Sequence, residues 1–138
     1  MKKIFLLIAT FTLSLNLFAK DLIVVNPEIK VLPTKSTTAA TMTIKNTSKI
    51  DYKLVRVEGN FAKTFEMHTM GKVDGMMKMR KLDNIEIKAN SEVELKSGGM
   101  HLMIFELNDL LKENSEYEIK LHFEPKKEKV VKFKAVAL

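Results

Sequence analysis

After Asp21 hydrophobic and polar residues alternate with a period of two in a series of short segments, and no stretch of useful length repeats at the helical 3.6 residues. The pattern predicts strands over Leu22–Val25, Glu28–Leu32, Ala39–Lys45, Tyr52–Glu58, Lys63–Met70, Met76–Lys81, Glu86–Lys88, Glu92–Lys96, Met100–Leu107, Glu116–Phe123 and Val130–Ala135. Residues suited to turns separate them: Pro33, Asn46-Thr47-Ser48, Asn60, Asp74-Gly75, Asn90-Ser91, Gly98-Gly99 and Pro125-Lys126-Lys127. Nine to eleven short strands with at most one helical turn, at Asp109–Lys112, fit an all-β, two-sheet sandwich. Near the end of the chain Tyr117, Ile119, Leu121 and Phe123 form one face and Glu118, Lys120, His122 and Glu124 the other, which points His122 to solvent. Val131, Phe133 and Ala135 then face the core, between Val130, Lys132 and Lys134.

The first residues follow a different rule. Lys2 and Lys3 precede the apolar run Ile4–Ala9, continued by Phe11, Leu13, Leu15, Leu17 and Phe18, and Ala19 gives way to Lys20-Asp21. This is the pattern of a secretory signal peptide over residues 1–19, broken by polar residues and shorter than the roughly 20 residues of a membrane-spanning helix. One domain is expected over residues 20–138, exported to the periplasm, monomeric and with no stable membrane insertion after cleavage. The 138 residues carry 23 Lys and Arg against 17 acids; two of the cations lie in the leader, so the remainder is only mildly basic. Outside the cytoplasm such a charge does not imply nucleic-acid binding. The sequence has no cysteine, which excludes disulfides, a cysteine nucleophile, thiolate metal sites and a cysteine-linked lipid within these residues.

Methionine is the compositional outlier. Of nine, seven lie between Met67 and Met103, and two of the three histidines lie among them, in Met67-His68-Thr69-Met70 and Met100-His101-Leu102-Met103. Residues i and i+2 of a strand share a face, so His101 and Met103 would present an imidazole nitrogen beside a thioether sulfur. His68 is expected at the end of one strand and Met79 on the next, across the Asp74-Gly75 turn. The four donors are neutral, two nitrogens and two sulfurs, and such a set favours Cu(I) over Mg²⁺, Ca²⁺ or Zn²⁺. A blue-copper electron-transfer centre would require a cysteine.

Other roles compete. Methionine fills irregular cores, and Met77 and Met79 alternate with Lys78 and Arg80 as in any half-buried strand, so a periplasmic β-sandwich interaction module with a methionine-rich core and no metal role is the alternative. A metalloenzyme would need an open coordination position and a nearby acid or base, for which Glu66 is the one candidate beside the motif. Haem attachment lacks a Cys-x-x-Cys-His segment.

The order His68, ten residues, Met79, twenty-one residues, His101, one residue, Met103 resembles at every spacing the signature of the periplasmic copper chaperone family called PCuAC. The flanking segments Glu66-Met67-His68-Thr69-Met70, Gly75-Met76-Met77-Lys78-Met79-Arg80 and Glu94–Met103 are similar as well, as is the early strand Thr41–Thr47. The resemblance covers essentially the whole domain. It implies a cupredoxin-like β-sandwich, not an enzyme, that binds one Cu(I) through His68, Met79, His101 and Met103. It further implies delivery to cytochrome c oxidase copper-centre assembly, with an oxidase subunit or assembly factor as partner. The tryptophan often found early in that family is absent, as is a Met/His-rich tail after Val136. Met70, Met76, Met77 and Met100 lie where an outer methionine shell would help capture or release copper; packing is the expected role of Met77 and Met100, and Met67 should face the core.

Overall fold

A computed structural model describes residues 21–138; the signal peptide expected over residues 1–19 lies outside them. Ten strands follow in order: β1 Leu22–Val31, β2 Thr37–Asn46, β3 Tyr52–Glu58, β4 Ala62–Val73, β5 Met76–Leu82, β6 Ile85–Ile87, β7 Ser91–Leu95, β8 His101–Leu107, β9 Glu116–Glu124 and β10 Lys127–Ala137. Nine of them form one hydrogen-bonded path, β5-β4-β8-β2-β1-β10-β9-β3-β6, antiparallel except where β1 lies parallel to β10, and β7 branches from β2. Strand β2 divides the sheet: residues Thr37–Ala40 pair with β8, and Met42–Asn46 pair with β7. The path folds over a single core and brings β3 against β4, giving the expected β-sandwich. Among the described residues there is no helix long and apolar enough to cross a membrane.

The period-two pattern fixes which side chains enter that core. Leu102 and Ile104 of β8, Ile119 and Leu121 of β9, and Phe133 and Ala135 of β10 are fully buried, while the residues between them point outward. Strand β2 buries Thr38, Ala40, Met42 and Ile44 on the same principle. Met67 is buried as expected. Truncating a large side chain here leaves a cavity, so Phe133→Ala should destabilise the fold by about 3–5 kcal/mol, read as a lower midpoint in urea denaturation. A loss below about 1 kcal/mol would mean that Phe133 is not at the centre of the core.

Three local expectations need correction. Leu22–Val25 and Glu28–Leu32 are one strand interrupted by a bulge: Asn26 adopts a left-handed φ of 50°, and pairing with β2 resumes at Glu28. The strand expected to end at Met70 runs on to Val73, because Asp74 (φ 52°) and Gly75 (φ 78°) close a two-residue hairpin in which Val73 pairs with Met76. Asp109–Lys112 forms no helical turn. Leu111 instead packs into the core, and the Lys112 amide donates to the Tyr117 hydroxyl at 2.9 Å.

Candidate metal centre

The outward face of β4, β5 and β8 gathers the chemistry. His68 pairs directly with His101 across β4 and β8, and Glu66 pairs with Met103. On the other side of β4, Met70 pairs with Met79 and His68 with Lys81. Side chains of directly paired residues share a face, so His68, Met70, Met79, His101 and Met103 all project from one side of three adjacent strands. The imidazole centroids of His68 and His101 are 6.2 Å apart, with the rings inclined at 41°. His68 lies within β4, not at a strand end as expected, and this central position puts Met103 diagonal to it on one side and Met79 diagonal on the other. The hairpin turn does bring Met79 back beside β4.

Both imidazoles are oriented by partners. His101 is 6% exposed and its Nδ1–H donates to the Gly99 carbonyl at 2.9 Å, which leaves the Nε2 lone pair available in the neutral ring. Nε2–H of His68 donates to Glu66 Oε2 at 2.7 Å, leaving its lone pair on Nδ1, an atom that is buried without a hydrogen-bond partner among the described residues. A buried nitrogen without a partner is costly unless something fills the position. The His68 hydrogen bond, helped by Lys81 at 3.7 Å, holds the Glu66 carboxyl below the ordinary carboxylate range against the opposing effect of burial. Glu66 therefore stays ionised and fixes the tautomer of His68, the arrangement expected around a metal-binding imidazole.

Met79 and His101 line one cleft of about 230 Å³ with Met70, Lys30, Ala39, Thr41, Ser97 and Gly98. Among the described residues no three His, Cys, Asp or Glu side chains converge on a common point. An ion held on this face would therefore bind through sulfur as well as nitrogen, a donor set that suits a soft, monovalent ion.

Two further expectations fail. His122 sits on the polar side of β9 as the alternation requires, but it is only 9% exposed. Arg56 of β3 and Glu128 of β10 pair with it, and its ring nitrogens lie 2.9 Å from Glu58 and 3.2 Å from Glu128. The long charged side chains of neighbouring strands close over it, which one strand's alternation cannot reveal. Met77 does not pack; it is 54% exposed. Met100 does pack against the core.

The His122 cluster carries a pH dependence. The hydrogen bond from His122 chiefly holds Glu58 below its ordinary 4.5, and Lys120 does the same for Glu128. Carboxyls depressed in the folded state contribute stability above the unfolded value, and that stability is lost as pH falls through the folded values. Glu58→Gln should thus lower the melting temperature at pH 7 and shrink the drop between pH 5 and about pH 3. Thermal melts of the two proteins across that range check it, and parallel curves would show that the pair contributes nothing.

A model of the LpqE-like family, described as "Putative lipoprotein LpqE-like", matches residues 22–135. Uncharacterized protein RP573 of Rickettsia prowazekii is 29% identical over 109 residues, covering 78% of this chain and 60% of that protein. The chain thus spans about 60% of the length of that curated relative. Among solved structures, the copper-bound PCuAC domain from PmoF2 superposes with a TM-score of 0.72 at 17% identity, over 86% of this chain and 94% of that one. The solution structure of CuI-DR1885 from Deinococcus radiodurans gives 0.62 at 25% identity, over 83% and 76%. The resemblance to PCuAC domains and the fold it implies are borne out.

Proposed function

We propose that this chain, which belongs to the LpqE-like family, is a Cu(I) carrier whose ligands are His68, Met79, His101 and Met103. One observation carries the proposal. His68 and His101 face each other across β4 and β8, each with one ring nitrogen engaged by a local partner and the other left to a metal, and thioethers flank them on both sides. The bound copper of the PmoF2 domain and of the Deinococcus protein supports the identity of the ion. Neutral nitrogen and thioether donors stabilise Cu(I) without adding charge. This suits a protein that passes its metal on and catalyses no reaction with it.

The signal-like pattern of the first 19 residues supports a periplasmic location for the carrier. There it hands Cu(I) to a copper-accepting oxidase subunit or assembly factor during cytochrome c oxidase assembly, a destination drawn from the PCuAC resemblance. Metal analysis of the purified protein after exposure to excess Cu(I) under reducing conditions, followed by desalting, is the test. One copper per chain is expected, with no comparable retention of zinc. A protein that emerged metal-free would leave the interaction module as the better account.

A further inference from the structure

Strand β5 is the edge of the sheet and adds only the half-buried Leu82 to the core, yet it presents Met76 at 65% exposure, Met77 at 54% and Met79 at 52%. Packing explains none of the three. Met77 and Met79 are two residues apart and share the face of the metal centre, whereas Met76 points to the opposite face. Met70 pairs directly with Met79, and Met77 pairs with Lys72, which places Met70 and Met77 on a diagonal. Directly opposed Cβ atoms are about 5 Å apart and diagonal ones about 7–8 Å, within reach of flexible methionine side chains. Met70 and Met79 also line the cleft that contains His101. Three thioethers thus share the solvent side of a centre whose imidazoles are nearly covered.

We propose that Met70, Met77 and Met79 form an all-thioether exchange position through which Cu(I) passes between the His68–His101 centre and the surface. Met79 belongs to both positions and keeps hold of the ion. As copper moves outward, its bonds to His68, His101 and Met103 break and bonds to the sulfurs of Met70 and Met77 form. The copper stays Cu(I), the imidazoles are released neutral, and no electron or proton is transferred. Sulfur donors alone bind more weakly than the mixed set at rest, so the outer position holds copper only in transit and presents it to an incoming ligand.

The inference rests on the Cu(I) reading, and its test separates the two. Cu(I)-loaded protein is mixed with excess chromogenic Cu(I) chelator, and both the transfer rate and the equilibrium affinity are measured. For Met70→Leu/Met77→Leu, which keeps side-chain volume and removes both sulfurs, affinity should stay within threefold of the parent while transfer slows at least tenfold. Met76→Leu, on the opposite face, should change neither. A double variant that transfers copper within twofold of the parent rate overturns the proposal, as does an equal slowing by Met76→Leu. A tenfold loss of affinity in the double variant also overturns it, by placing Met70 or Met77 in the resting centre. A parent protein that holds no Cu(I) refutes the carrier reading and this inference with it.

Discussion

His101→Ala is expected to lower Cu(I) affinity by well over tenfold, and Met103→Leu to do the same while preserving the volume of the side chain. In the proposed centre His101 supplies a nitrogen whose orientation is set by the Gly99 carbonyl, so alanine removes both the donor and its preorganisation. Met103→Leu removes only the sulfur, which separates loss of a ligand from loss of packing. His122→Ala is the control. His122 lies on β9, separated in the sheet from β8 by β2, β1 and β10, and its partners are Glu58 and Glu128. That variant should lose some stability but keep the copper affinity of the parent. Competition against a Cu(I) chelator measures all three, and equal losses at His122 and His101 would sink the ligand assignment.

The second large effect is thermal. A ligand that binds only the folded state stabilises it, and at free Cu(I) a thousandfold above the dissociation constant the gain is about 4 kcal/mol. A domain of roughly 120 residues shifts its melting temperature by about 3–6 °C per kcal/mol, so a rise above about 10 °C is expected. Ag(I), similarly soft, should act alike, and Zn²⁺ and Mg²⁺ should do little. Ascorbate belongs in the copper sample only, because it would reduce silver. If Zn²⁺ stabilised the fold as strongly as Cu(I), the soft-donor argument and the copper-carrier reading with it would have to be abandoned.

The strands and their inward faces were legible because burial on one side of a sheet imposes a period of two on the sequence. Leu102 and Ile104 inside, with His101 and Met103 outside, follow from that rule alone. The turn at Asp74-Gly75 was legible because few residue pairs tolerate its dihedrals, and it correctly returned Met79 to β4. What depends on neighbours in space could not be read in this way. The covering of His122 comes from Arg56 and Glu128, which are 66 and 6 residues away in the chain, and the exposure of Met77 follows from β5 being an edge. The pairing of His68 with His101, which joins the two halves of the candidate centre, is a matter of register between β4 and β8. The spacing of the motif signalled that pairing only through family resemblance. Glu66 was visible as a neighbour of His68, but its role in fixing the ring depends on a 2.7 Å contact that the sequence does not specify.

X-ray absorption at the copper edge of protein loaded with one equivalent of Cu(I) tests the central claim most directly, because it counts the donor atoms. The predicted result is a mixed shell in which imidazole nitrogens and thioether sulfurs both scatter, with the imidazole contribution reduced in His101→Ala and the sulfur contribution reduced in Met103→Leu. A shell of nitrogen and oxygen alone, or of sulfur alone at that loading, would contradict the centre built from His68, Met79, His101 and Met103.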